Sequence, residues 1–232
     1  MSDIPSGFRR LPGFIDDVYQ VETSIGKTVS AEAFKAFDAH AHRGVVLWRT
    51  LSSIAPQQLD KFKARMMLVQ RAPHVVPISI FGFDAGNVGF AILSSPDRRP
   101  INAPVADPVE VERRLLSILA ILEHLHENHV VCGDICRDSF VLERDGTVCL
   151  FGVMGALEIR STDRDSASAA IRSYLSPRSE EVATPSAQDD VFAVLMLAKE
   201  LYASISISGA GAPSKGVVMP AWIEQVLAGS HE

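Results

Sequence analysis

Apolar residues follow two different patterns along the chain. Before residue 94 they form short runs, at 45–48, 76–81 and 88–93, which predict β-strands. Within 57–70 they recur instead every three or four positions, which predicts one helix among those strands. This part of the chain therefore predicts a strand-rich lobe that carries a single helix.

Helical spacing dominates the second part of the chain. Apolar residues at intervals of three and four predict helices over 109–128 and 190–202. We expect the first helix to bury the face that carries Leu115, Ile118, Leu119, Leu122 and Leu125. Between these helices, two short strands at 140–142 and 147–151 flank Asp145-Gly146, a dipeptide typical of a hairpin turn.

A polar segment rich in proline, 94–108, separates the two patterns, and its composition predicts a linker without regular structure. We therefore divide the chain into an N-terminal extension (1–18), a small lobe (19–93), this linker and a larger helical lobe (109–232). The organisation predicts an α+β fold with two lobes. A polar loop is expected over 160–172, and a last short helix over 220–227.

Composition and charge exclude several functions. A net charge of −6 and a pI near 5.6 argue against a nucleic-acid partner or an anionic membrane, since both require clustered Lys and Arg. No apolar stretch is long enough to cross a bilayer, and no secretory signal is visible. The three cysteines, Cys132, Cys136 and Cys149, cannot pair completely. We expect a cytoplasmic protein with reduced thiols and no membrane insertion.

The segment 130–142 resembles the catalytic loop of protein kinases and the strand that follows it. Asp134 stands at the position of the family's catalytic Asp, while Ser139 replaces the Asn that holds a magnesium ion. The resemblance is to bacterial-type serine/threonine kinases and extends over roughly residues 19–202. It implies the bilobal protein-kinase-like fold, with a strand-rich N-lobe and a helical C-lobe that is trimmed at its end or continues in a longer polypeptide.

The nucleotide-binding motifs of the family are degenerate. Gly26 matches the first glycine of the phosphate-covering loop, but Thr28 and Ala31 replace the second and third, whose absence of side chains lets backbone amides approach phosphate. Arg49 stands where the family has its phosphate-pairing lysine, and a planar guanidinium does not replace an ammonium. No Glu lies between Glu32 and Glu110 to form the family's activating ion pair.

The metal-binding Asp-Phe-Gly motif is also altered. The corresponding segment, 150–155, has no Asp, so that Gly152 either replaces the Asp or forms part of a retained Phe-Gly pair. Arg178 replaces the Glu of the family's Ala-Pro-Glu motif. In contrast, Asp190 matches the Asp that begins the central helix of the large lobe and braces the catalytic-loop backbone, which implies a retained scaffold.

The resemblance with these losses implies a pseudokinase that acts as a protein-binding scaffold or allosteric regulator. Its partner would be a protein, either another kinase or a further domain of the same polypeptide, and no cofactor is expected. Two alternatives remain: an atypical ATP-dependent serine/threonine kinase, and a switch that binds ATP without a metal. The sequence leaves open whether Trp48 and Met154 fill the cleft between the lobes.

A competing interpretation is a zinc site, because five ligand-type residues are concentrated in 124–136: His124, His126, His129, Cys132 and Cys136. Their spacing matches no common zinc pattern, and His124 and His126 lie on different sides of the predicted helix. We expect the histidines to cap and flank the end of that helix.

Overall fold

The computed structural model describes residues 9–10, 18–84, 86–94, 98–105, 107–152, 154, 157–159 and 161–205. The predicted helix at 220–227 lies outside these residues. The first lobe contains six strands: β1 (Arg9–Arg10), β2 (Tyr19–Lys27), β3 (Ala31–Asp38), β4 (Arg43–Thr50), β5 (Ile78–Phe83) and β6 (Gly89–Ser94). They form one antiparallel sheet in the order β1-β2-β3-β4-β6-β5, which confirms the strand-rich lobe.

A single helix, α1 (Leu59–Val69), lies between β4 and β5 in the chain, as predicted. Phe62, Met66 and Val69 of its predicted apolar face are buried against the sheet. Phe62 also packs on Phe83 of β5, with ring centroids 5.1 Å apart. The helix is thereby fixed to the inner face of the sheet, towards the second lobe.

The second lobe contains the remaining elements: β7 (Arg99–Pro100), α2 (Pro108–Glu127), β8 (Phe140–Leu142), β9 (Val148–Leu150), α3 (Ser161–Ser166), α4 (Ala169–Arg172) and α5 (Ala187–Ala203). Asp107 caps α2 by accepting a hydrogen bond from the Val109 N–H at 2.9 Å, and Pro108 occupies the first helical turn. The hairpin of β8 and β9 turns at Gly146, whose φ of 90° favours glycine.

Three expectations about local structure were wrong. Arg99–Pro100, within the predicted linker, forms the strand β7, because it pairs with Val141 and Leu142 of β8. The predicted loop at 160–172 contains the short helices α3 and α4. Leu119 is 40% exposed, because the buried face of α2 is narrower than its apolar pattern.

One apolar core extends through both lobes. It joins Val46 and Trp48 of the six-stranded sheet to Leu142 and Leu150 of the β8–β9 hairpin. A separate cluster covers the opposite face of the six-stranded sheet and includes Tyr19, Val21, Val45, Leu47, Phe90 and Ile92. Among the described residues, no helix has the length and hydropathy needed to span a membrane.

Candidate functional site

Asp134 lies in the segment that joins α2 to β8, directly after Gly133, whose φ of 80° is in the region that favours glycine. Its side chain is buried below the turn between β2 and β3. The Oδ2 atom accepts a hydrogen bond from Thr28 Oγ1 at 2.7 Å and another from the Ser30 hydroxyl. The carboxylate at the family's catalytic position is therefore capped by the protein's own hydroxyl groups.

The charge state of this carboxylate reflects its burial. Removal from water raises the pKa of Asp134, and the hydrogen bonds from Ser30 and Thr28 together with the Arg65 guanidinium offset only part of this effect. Asp190, another buried carboxylate, adds to the increase. Asp134 is thus a desolvated acid that is held by donors of its own chain.

Arg65 is a site residue that our sequence analysis missed. It is buried on α1, and its Nη2 donates to the Cys132 carbonyl oxygen at 3.1 Å. This guanidinium joins the helix of the small lobe to the candidate catalytic loop. Its position could have been noticed, because Arg65 follows Phe62 by three residues and precedes Val69 by four, beside the apolar face of α1.

Asp190 holds the backbone of the same loop from below. It is fully buried at the start of α5, where Oδ1 accepts from the Gly133 N–H at 2.6 Å and Oδ2 accepts from the Cys132 N–H at 2.8 Å. His126 Nε2 also lies 2.8 Å from Oδ2. Asp190 therefore lies under the loop that carries Asp134 and holds its backbone.

Ser139 and Gly152, which the resemblance places at magnesium-ligand positions when Gly152 is aligned with the Asp of the motif, contact each other. The Ser139 carbonyl oxygen accepts hydrogen bonds from the N–H groups of Phe151 at 2.8 Å and Gly152 at 2.9 Å. A Cβ added to Gly152 would lie only 2.8 Å from Ser139 Cα, so a carboxylate side chain does not fit there without movement. The Ser139 hydroxyl is occupied locally, since it accepts from the Cys136 N–H at 3.0 Å.

Trp48, rather than Arg49, lies on the sheet face towards the second lobe. Trp48 is fully buried and packs edge-on against Phe151, with ring centroids 5.4 Å apart. Arg49 is paired in register with Phe90, whose side chain belongs to the cluster on the opposite face. Because cross-strand partners share a face, Arg49 is directed away from Asp134.

Two side chains, Met154 and Trp48, fill the cleft between the lobes at their positions. Met154 is fully buried, and its Cε lies 3.3 Å from the place of a Cβ on Gly89 in the small lobe. Trp48 fills the neighbouring region, and both residues belong to the core that spans the lobes.

Gly26 lies above Asp138, since a Cβ on this glycine would be 3.4 Å from the Asp138 Cβ.

A cavity of about 50 Å³ remains beside the β2–β3 turn. Its polar lining includes Ser30, Thr50 and Asp163, and Ser52 donates to Asp163 Oδ1 at 2.8 Å. Pockets for small molecules usually measure about 300 to 1,000 Å³. This cavity is therefore too small for a nucleotide.

Three of the five residues of the competing zinc interpretation have a side chain that is paired or buried. His126 contacts Asp190, and Cys132 and Cys136 are buried thiols. Burial raises the pKa of Cys136 to about 12 and the pKa of Cys149 to about 11. It also raises the pKa of Cys132 well above its ordinary value. Within the part of the chain that the structure describes, no three His, Cys, Asp or Glu side chains converge as metal ligands.

Comparison with known proteins supports the architecture. The sequence matches no protein-family model. Nitrogen network kinase 1 of Saccharomyces cerevisiae is 25% identical over 143 residues, which cover 58% of this chain and 14% of that protein. The chain thus corresponds to a small part of this curated relative.

Solved structures give broader coverage at lower identity. The kinase domain of Mycobacterium tuberculosis PknI has a TM-score of 0.57 and 16% identity, covering 96% of this chain and 89% of that one. A double mutant of the same domain has a TM-score of 0.57 and 18% identity, with coverages of 89% and 83%. The apo form of PpkA-294 has a TM-score of 0.56 and 12% identity, with coverages of 87% and 79%. Together with the two-lobed α+β architecture, these similarities show that the chain has the protein-kinase-like fold.

Proposed function

We propose that the chain is a pseudokinase, a kinase-like domain that transfers no phosphoryl group and acts by binding a protein. The observation that carries this proposal is the cap on Asp134, whose Oδ2 accepts from the hydroxyls of Thr28 and Ser30. A catalytic carboxylate in this position must orient the attacking hydroxyl of a substrate. Here the lone pairs of Oδ2 are engaged inside the protein.

The charge requirements of the reaction support the same proposal. Phosphoryl transfer depends on positioning and on neutralisation of the phosphate charge by metal ions and a lysine. Ser139 and Gly152 supply no carboxylate and contact each other, while Arg49 shares the outer face of the sheet with Phe90. Asp134 alone cannot place a γ-phosphate, so we expect no transfer.

The retained contacts favour a scaffold or an allosteric regulator. Asp190 and Arg65 hold the catalytic-loop backbone from two sides, which conserves the shape of the domain without its chemistry. We propose that the partner is a protein, either another kinase or a further domain of the same polypeptide. The buried free thiols of the described cysteines are compatible with a reducing cytoplasm, where we place the protein.

Thermal unfolding with ATP, in the absence and presence of Mg²⁺ or Mn²⁺, tests the proposal. A native-state site at a hundredfold excess over its Kd would add about 2.7 kcal/mol, equivalent to a shift of about 5 to 10 °C for a domain of this size. We expect no metal-dependent shift and no phosphate transfer to a generic protein substrate. Metal-dependent turnover that disappears in Asp134→Asn would contradict the proposal, and a shift with ATP alone would favour the metal-independent switch.

A further inference from the structure

Four consecutive residues of the β2–β3 turn, 27–30, each contact the second lobe or its loops. Their polar contacts connect residues that are between 104 and 111 positions apart in the sequence. Thr28 and Ser30 donate to Asp134, as described above, and the Lys27 N–H donates to Asp138 Oδ2 at 2.9 Å. The turn is therefore bound through both backbone and side chains.

The contact with Asp138 is made by the backbone N–H of Lys27, a type of group that often binds anions. Backbone N–H groups of a turn at the end of a strand are suitable donors to anionic oxygens, and a charged acceptor strengthens the bond. In this chain the anion is a carboxylate of the candidate catalytic loop. The Lys27 carbonyl oxygen also accepts from Cys136 Sγ at 3.3 Å, so both backbone polar groups of Lys27 are held by the candidate catalytic loop.

Val29 provides an apolar contact at the tip of the turn. Its side chain is only 1% exposed, although the tips of turns are usually on the surface. It is buried in a cluster with Ile159 and Ala167, against which Ile171 and Leu175 also pack. Ile159 precedes α3, Ala167 joins α3 to α4, Ile171 lies in α4 and Leu175 follows it, so that Val29 contacts the segment that contains both short helices.

We infer that residues 27–30 form an interlobe latch that closes the two lobes on each other without a nucleotide and orders the segment 159–175. Lifting the latch would uncover Asp134 and Asp138 and release the α3–α4 surface. The latch gives the chain a way to regulate which surface it presents to a partner. It depends only on the contacts of the turn, and therefore holds whether or not the protein transfers phosphoryl groups.

Hydrogen exchange of the purified full chain tests the latch. Val29→Asp places a charge in the apolar cluster, and we expect amides of 159–175 to exchange at least about tenfold faster, since local opening determines their protection. Amides of β5, β6 and α5 should remain unchanged. The matched control is Ile25→Asp in the preceding strand β2, because Ile25 is 42% exposed and its change should leave 159–175 protected.

A second variant keeps the test valid if Val29→Asp does not fold. Thr28→Val combined with Ser30→Ala removes the two hydroxyl donors to Asp134 with little change in volume. The sequence has two tryptophans, Trp48 and Trp222, so Trp222→Phe leaves Trp48 as a fluorescent reporter of the region between the lobes. We expect acrylamide to quench Trp48 at least about twofold more in this variant than in its Trp222→Phe parent, because opening admits water.

The latch would be overturned if the folded variants kept both the exchange protection of 159–175 and the quenching of Trp48. It would also be overturned if exchange rose equally in β5, β6 and α5, because that pattern indicates global destabilisation. ATP-dependent turnover by the wild-type protein would contradict the proposed function, but not the latch. The two proposals can therefore fail independently.

Discussion

At its beginning, the loop 132–139 is held by Asp190, which accepts hydrogen bonds from the N–H groups of Cys132 and Gly133. At its end, the same loop lies directly against Gly152, and the Ser139 carbonyl oxygen accepts hydrogen bonds from the N–H groups of Phe151 and Gly152. In both regions the backbone donors and acceptors are paired. Only the first region retains the acidic side chain that the kinase resemblance implies.

This difference separates two roles that the family's motifs combine. A buried carboxylate that accepts backbone N–H groups contributes to folding in any chain with this loop, because those donors would otherwise be unpaired. A metal-binding carboxylate contributes only when a metal is held, and without one it is a desolvated charge. In a chain that transfers no phosphoryl group, as we propose for this one, acids at Ser139 and Gly152 would have no function, whereas Asp190 would keep its role in folding.

Asp190→Ala breaks the retained region and should have the largest effect. The change leaves two buried N–H donors and His126 without their shared acceptor, and we expect a loss of about 3 to 5 kcal/mol in the free energy of unfolding. Urea denaturation measures this difference. Val191→Ala is the control on the same helix, because Val191 is 44% exposed and should cost less than about 0.5 kcal/mol.

A loss below about 1 kcal/mol for Asp190→Ala would show that the brace contributes little. The difference between the two regions would then have no energetic basis.

Gly152→Asp introduces an acidic side chain at the end of the loop, where Gly152 contacts Ser139. Its Cβ would lie 2.8 Å from Ser139 Cα, and the overpacking alone should cost about 1 to 3 kcal/mol, with a further cost for the desolvated charge. We expect Mg²⁺ not to recover the stability in thermal unfolding. Gly152→Ala separates the steric effect from the charge, and should give the smaller of the two losses.

If Mg²⁺ restored the thermal stability of Gly152→Asp, a metal would bind at this position, and the prediction that the close contact of Gly152 with Ser139 excludes it would be wrong.

The pattern of the sequence predicted the two-lobed α+β fold and the helices α1, α2 and α5, because each depends on local periodicity. It did not predict the face of Arg49. In a strand, a shift of one residue moves a side chain to the opposite face, and only the pairing with β6 shows that Trp48 faces the second lobe. The contacts of Val29 and Thr28 were equally hidden, since their partners lie more than a hundred residues away along the chain.

Asp134 lies between the two regions, and its burial gives the smallest but most specific prediction. Because its pKa is raised above the ordinary 3.8 by burial, the native state binds more protons than the unfolded state above that pH. The stabilisation is complete below 3.8 and is lost as the pH rises through the native pKa. Asp134→Asn lacks this titration, so its free energy of unfolding should increase relative to wild type over that interval, with a slope of at most about 1.4 kcal/mol per pH unit.

Urea denaturation at a series of pH values measures the difference between the two proteins, in which the other titrating groups largely cancel. Asp145→Asn is an informative control of opposite sign, because the backbone hydrogen bond from Thr147 holds the pKa of Asp145 below its ordinary value. The contribution of Asp145 is therefore lost as the pH falls. If the difference for Asp134→Asn did not change with pH, the effect of burial on the pKa of Asp134 would not exceed the opposing effect of its hydrogen bonds and of Arg65, and the prediction of a raised pKa would be wrong.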